Sequence, residues 1–405
     1  MGARRVVVTG LGVISALGQN AAEFWTALRE CRSGIGPIDL LDCTNLRFRN
    51  GAQVWGYNPD RYFEPKAAAF LDRFAQFGVI AAREAVRHSG IEFCAALRAR
   101  TAIITGSCTG GQTFEDTAFR SIYRDGANRL PPLTIPLIMA NAATSSISME
   151  LGITGPAYTI STACSSASHA IGNAFWLVRN GMCDAAITGG CEAPFSFGIL
   201  KAWEAIRVVS PDTCRPFSKD RRGMVLGEGG AMMVIEPLEA ALARGATIHA
   251  EIVGFGMSSD ASHITQPSAD GAAKAIRAAL ADAGLEPEQI GYINAHGTGT
   301  DVNDVTEAAA IRSVFGKHTE RLPVSSTKSM HGHALGAAGA LEALATVMAL
   351  REGILPPTAN FTTPDPRCDL DVVPNQARAT QAEFALSNSF AFGGLNAVLA
   401  FRKFV

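Results

Sequence analysis

The chain has 405 residues and a formal net charge of −2, with 47% hydrophobic and 18% charged residues. A charged fraction below the ~25% of an average soluble chain, together with 40 glycines, points to a large interior with close backbone contacts and excludes a disordered, fibrous or coiled-coil protein. The near-neutral balance supplies no basic field for nucleic acid, and no apolar run approaches the ~18 residues of a membrane span.

Residues 4–9 predict a first buried strand that ends at a Gly10-Leu11-Gly12 turn. Helical spacing follows over 21–29, with Phe24, Trp25 and Leu28 on one side, and again over 70–89. Residues 101–105 predict a strand, 157–162 another, and 165–179 a helix. Residues 184–188 predict a strand stopped by Gly189-Gly190, 231–236 a further strand, and 237–244 a short helix. This alternation is the α/β class, with strands buried on both faces. The N-terminus lacks a signal-peptide cleavage pattern, and the nine cysteines form no CxxC pair. Both features read as a cytoplasmic protein with reduced thiols.

An internal repeat is visible. Residues 83–90 lead through a strand to Thr105-Gly106-Ser107-Cys108-Thr109-Gly110, and residues 277–284 lead through a strand to Ala295-His296-Gly297-Thr298-Gly299-Thr300. Each unit is a helix, a glycine stop, a strand and a Gly/Thr-rich turn. The run from Tyr158 to Cys164 has a looser counterpart in Pro323 to Lys328 and on to His333. The repeat divides the chain into halves of 1–250 and 251–405.

Cys164, in Thr162-Ala163-Cys164-Ser165-Ser166, sits between a strand and a helix. There the helix dipole and free N–H groups favour a thiolate and can hold an oxyanion; the alternative is a buried structural cysteine. His296 ends a strand in a turn too small to pack it, so it either faces a cleft or bonds a backbone carbonyl. His331 and His333 form a His-x-His pair without a third ligand nearby, which argues against a metal. Glu342 follows on an Ala-rich helix. Gly10-Leu11-Gly12-Val13-Ile14-Ser15 imitates a dinucleotide fingerprint but has Ser15 in place of the third glycine and no acidic residue ending a second strand. No GxSxG elbow is present. One activated thiol and two cleft histidines suit a decarboxylative Claisen condensation: the thiolate holds an acyl group, and histidine N–H donors stabilise an enolate.

At these residues the sequence resembles the β-ketoacyl-acyl-carrier-protein synthases of thiolase fold, from Val6-Val7-Val8-Thr9-Gly10-Leu11-Gly12 to Ser387-Asn388-Ser389-Phe390-Ala391-Phe392-Gly393-Gly394. Thr-Ala-Cys-Ser-Ser at 162–166, Asn-Ala-His-Gly-Thr-Gly-Thr at 294–300 and Lys-Ser-Met-His-Gly-His-Ala-Leu-Gly-Ala-Ala-Gly at 328–339 carry it. The Cys-His-His set is similar to the elongating enzymes rather than the priming type with Cys-His-Asn. The resemblance implies a duplicated five-layer α/β/α/β/α arrangement, each half built on a mixed sheet.

The resemblance also assigns roles. It makes Cys164 the acyl acceptor, and His296 and His333 the donors to the malonyl carbonyl. Lys328 and Glu342 support the histidines, and Glu342 is grouped with the substrate-binding residues. Thr298 and Thr300 would hold the pantetheine arm, and Phe392 would be the gate, sharing the oxyanion hole with the Cys164 N–H. Thr109 and Trp203 would line the acyl pocket. Lys66, Arg73, Arg129 and Arg207 are the implied docking residues for an acyl-carrier protein. No cofactor is implied beyond the carrier's own phosphopantetheine. The implied assembly is a homodimer, or a heterodimer with a chain-length-factor-like subunit, paired through residues 154–162. His331, Ala391, Leu395, Thr109 and Trp203 depart from the usual pattern, in the manner of specialised nodulation-factor or polyene-type members.

Overall fold

The computed structural model describes residues 3–405. Ten strands form one hydrogen-bonded ladder: β1 (Val6–Ser15), β2 (Thr101–Gly106), β3 (Ala157–Ile160), β4 (Ala185–Glu192), β5 (Gly229–Pro237), β6 (Ala250–Ser259), β7 (Ile290–Asn294), β8 (Val324–Ser325), β9 (Phe384–Ala391) and β10 (Leu395–Arg402). Their order is β8-β7-β9-β10-β6-β1-β5-β4-β2-β3. Read outward from the centre, β1-β5-β4-β2-β3 and β6-β10-β9-β7-β8 follow one rule: two antiparallel pairings, then two parallel ones. The repeat seen in the sequence is therefore a repeat of topology. The halves are joined where Val6–Val8 pair antiparallel with Ala250–Ile252.

Six helices complete the layers: α1 (Arg73–Ser89), α2 (Ala142–Leu151), α3 (Ser166–Arg179), α4 (Ala269–Ala283), α5 (Asp301–Phe315) and α6 (Ala338–Glu352). α1 and α2 cover the outer face of the first sheet, and α4 that of the second, with α5 packed beside α4. α3 and α6 lie between the two sheets and touch strands of both. Thirteen residues of α6, Ala338 to Leu350, are buried, which is why its apolar positions lack a one-sided stripe. α1, in contrast, starts on an Asp72 N-cap and stops at Gly90 with φ 62°, burying one face.

The glycines near the N-terminus do not make a turn. β1 continues through Gly10 and Gly12 to Ser15, and a Cβ on those glycines would lie 2.1 Å from the Ala85 carbonyl oxygen and 2.0 Å from that of Ala81. They are flat ground on which α1 rests. β6 repeats the device: Cβ atoms on Gly254 and Gly256 would meet the Ala279 oxygen at 2.6 Å and the Ala275 oxygen at 2.3 Å, both on α4. β4 likewise runs through Gly189-Gly190 to Glu192.

Candidate functional site

β3 ends at Ile160, and the chain turns through Ala163, whose φ of 50° is a left-handed conformation that costs a residue with a Cβ about 1–2 kcal/mol. The turn is held by Ser165 N–H to the Thr162 oxygen (3.2 Å), and by Ser165 Oγ to Thr162 O (2.8 Å) and Leu395 O (2.9 Å). It lifts Cys164 to the floor of a cleft of about 540 Å³ at the mouth of α3. Trp203, Arg207, Met224, His263, His296, Thr298, Thr300, His333 and Phe392 also line this cleft.

The helix N-terminus does not produce a low-pKa thiol. Cys164 is 6% exposed, and burial pushes its thiol up to about 11. Lys328 and the N–H groups of Phe392 and Cys164 itself pull the other way without overcoming that burial. The same two N–H groups form a pair of donors at the sulfur.

The histidines are neutral: burial, then Lys328, holds both well below the ordinary imidazole value. Their rings meet edge to face, with centroids 5.4 Å apart. Lys328, with no exposed surface, donates from Nζ to His296 Nδ1 (3.2 Å) and to the His296 carbonyl (2.7 Å), and its third partner is Glu342. An ammonium has only donors, so His296 Nδ1 accepts and Nε2 carries the proton. The Leu335 N–H donates to His333 Nδ1 (3.2 Å), which puts the proton of His333 on Nε2 as well. The two imidazoles thus carry the same tautomer for different reasons.

The turn bearing His296 is anchored by Glu307 of α5, fully buried, which accepts from His296 N (2.8 Å) and Gly297 N (2.7 Å). Thr298 and Thr300 join by their hydroxyls (2.9 Å) around Gly299, whose φ of 76° suits a residue without Cβ. Arg221, buried, ties this loop to Asp301 and Asp365 (2.9 and 2.7 Å). Phe392 stacks on Trp203, with centroids 6.1 Å apart, and precedes Gly393 and Gly394 at φ 82° and 69°.

Several expected residues stand elsewhere. Glu342 has no exposed surface and does not reach the cleft; it lies behind Lys328, and burial pushes its carboxyl up to about 7. Thr109 is not a cleft-lining residue: its hydroxyl donates to Glu192 (2.7 Å). Arg73 is not a free docking cation, because both its Nε and Nη2 grip buried Glu228 (2.8 and 2.6 Å) and its guanidinium covers Tyr57 and Phe77. Lys66, Arg129 and Arg207 are exposed, and Arg207 stands on the cleft wall. The His-x-His pair is split: His331 bonds Thr327 Oγ1 and the Gly332 carbonyl beside Phe24, away from His333. Glu192, Glu307 and Arg221 were not legible as site residues, since no motif marks a carboxylate or guanidinium that serves backbone.

The family profile described as Beta-ketoacyl synthase, N-terminal domain, matches residues 3–241, and that described as Beta-ketoacyl synthase, C-terminal domain, matches residues 249–362. Fold and site together define a condensing enzyme of the thiolase-fold class. The chain belongs to the beta-ketoacyl synthase family. It is similar to nodulation protein E of Rhizobium sp. strain N33, 48% identical over 400 residues and 99% of each chain. It is also similar to 3-oxoacyl-[acyl-carrier-protein] synthase 2 of Synechocystis sp., 44% identical over 409 residues, covering 99% of this chain and 98% of the other. Among solved structures, the ishigamide ketosynthase/chain length factor superposes with a TM-score of 0.96 at 38% identity, over 100% of both chains. Among the described residues, no helix is long and apolar enough to cross a membrane.

Proposed function

We propose that Cys164 takes an acyl group from one carrier-protein thioester, and that the cleft condenses it with a malonyl group delivered on another. The observation that carries this reading is the pair of neutral imidazoles, each with Nδ1 occupied by a donor and Nε2–H left for the cleft that holds Cys164. In the first step the thiol sulfur bonds the acyl carbon, and the departing carrier sulfur leaves with the thiol proton. In the second, the malonyl C–C bond breaks to release CO2. Its electron pair becomes an enolate whose oxygen accepts from His296 and His333. The enolate carbon then attacks the Cys164 thioester. The resulting oxyanion takes the N–H groups of Cys164 and Phe392, and the thiolate leaves and recovers a proton from solvent.

Neutral donors fit this sequence, since the malonyl carboxylate must be lost rather than trapped as an ion pair. Thr298 and Thr300 are positioned along the cleft wall to bond the pantetheine arm, and Phe392 on Trp203 separates the acyl side from the malonyl side. The reading needs no metal or cofactor of the chain's own. Lys66, Arg129 and Arg207 would face the acidic carrier. β3 is one of the two edge strands of the ladder, with Tyr158 exposed and Met149 of α2 beside it 75% exposed, which favours pairing there with a second copy or a chain-length-factor-like subunit. The nine free cysteines accord with a cytoplasmic setting. The similarity to nodulation protein E supports a specialised acyl chain, of the nodulation-factor or polyene type, over a housekeeping one. The test is incubation with acyl- and malonyl-carrier protein. CO2 with a 3-ketoacyl product is expected; free acid without CO2 would indicate a thioesterase and overturn the reading.

A further inference from the structure

Glu192 ends β4 with no exposed surface and no cationic partner within salt-bridge distance among the described residues. It accepts five hydrogen bonds instead. Oε1 takes Ser107 Oγ (3.0 Å), Thr109 N (3.1 Å) and Thr109 Oγ1 (2.7 Å), and Oε2 takes Cys108 N (2.6 Å) and Gly336 N (3.0 Å). Four of these donors belong to the turn after β2 in the first half. The fifth belongs to the second half, three residues after His333.

That fifth bond falls where the chain is strained. Leu335, the residue before Gly336, has a φ of 45°, which a branched side chain rarely adopts. Its N–H is the donor that occupies His333 Nδ1. Gly336 has no room to shift: a Cβ there would lie 2.3 Å from Cys108 N and 2.5 Å from Glu192 Oε2. A strained conformation persists only where its surroundings over-determine it, and here the surroundings are one carboxylate and the turn it collects.

We infer that Glu192 is a positioning residue for His333. By holding the Gly336 N–H it keeps Leu335 in its strained conformation, aims the Leu335 N–H at Nδ1, and so fixes the tautomer that presents Nε2–H to the cleft. The catalytic tautomer of a histidine on the second half is thereby set by a carboxylate on the first. The inference rests on the donor role proposed for His333, but its readout does not depend on turnover.

Glu192→Gln tests it. The amide keeps the shape and places an NH2 against N–H donors, so the turn loses acceptors. In protein labelled with 15N-histidine, the parent should show His333 as a single Nε2–H tautomer. The variant should show a mixture, with malonyl decarboxylation reduced about tenfold or more in kcat, KM little changed, and Cys164 self-acylation within about threefold of the parent. A variant that keeps the single tautomer overturns the inference, whatever its activity. A parent with the tautomer fixed and a His333→Ala variant that still decarboxylates would instead overturn the donor role. Thr109→Val is the control: it strips a donor from Oε1 and should leave the tautomer alone. If Glu192→Gln does not fold, Gly336→Ala pushes on the same contact from the other side. The parent alone also tests the premise, since a Gly336 amide that exchanges with solvent as fast as an exposed turn would show that the carboxylate does not hold it.

Discussion

At the end of β3 the chain passes through Ala163 and presents Cys164 to the cleft. At the end of β8, the corresponding strand of the other half, it enters a short helix at Lys328, which never reaches solvent. Similar scaffolds and similarly placed strand ends carry different groups here: one half turns a buried thiol to the cleft, and the other buries a cation that bonds a histidine. The turns after β2 and β7 make the same contrast. Each is gathered by a buried carboxylate accepting backbone N–H groups, Glu192 in the first case and Glu307 in the second, yet only the second turn carries an imidazole to the cleft. In the proposed reaction, bond-making falls to one frame and charge stabilisation to the other.

The sharpest way to break this division is to remove the chemistry of one half at a time. Cys164→Ala should reduce condensation to background with the fold intact, and Cys164→Gln, whose amide imitates an acylated thiol, should still release CO2 from malonyl-carrier protein. Product mass and CO2 release read both. His296→Ala and His333→Ala should each cut decarboxylation by about 10²–10³, the scale of one oxyanion donor, while Cys164 still acylates. Equal loss of acylation and decarboxylation in these variants would erase the distinction between the halves.

The shared frame can be tested too. Gly12→Ala and Gly256→Ala place a methyl against helix backbone at 2.0 Å and 2.2–2.3 Å, so each should destabilise the protein by about 1–3 kcal/mol, to a similar extent, in denaturant unfolding. Trp203→Phe belongs to the first half alone. It should alter the ranking of acyl chains by up to about tenfold in kcat/KM without altering CO2 release from Cys164→Gln.

The smallest effect is in pH. Burial holds His331 down to about 3, whereas an unfolded imidazole titrates near ~6.5. Between those values the unfolded chain binds the extra proton, so this group makes stability fall as pH drops below 6.5 and has no effect above it. His331→Gln should therefore give a shallower decline than the parent between pH 6 and 4, and parallel curves above pH 7, in urea midpoints.

The sequence made the α/β class, the repeat and the Cys-His-His set legible because each rests on local pattern. Gly10 and Gly12 misled because two glycines beside a strand look like a turn. Only the helix lying on them, some seventy residues away in sequence, makes them strand residues. The thiol misled for a related reason: the helix N-terminus is visible in sequence, while the burial that outweighs it is set by tertiary packing that no local motif records. Glu342 was legible as the companion of Lys328 behind the histidines, whereas Arg73 was legible as a cation but not as the partner of Glu228, since that pairing joins distant segments.

The central layer sets an order of events for the nascent chain. α6, shared by both sheets, is among the last helical residues to be synthesised, with only β9 and β10 following as major elements. Until residue 352 has left the ribosome, the first half lacks the cover that α6 gives to α3, β4 and β5. A chain stopped near residue 250 should therefore stick to chaperones or to its own copies rather than wait as a finished domain.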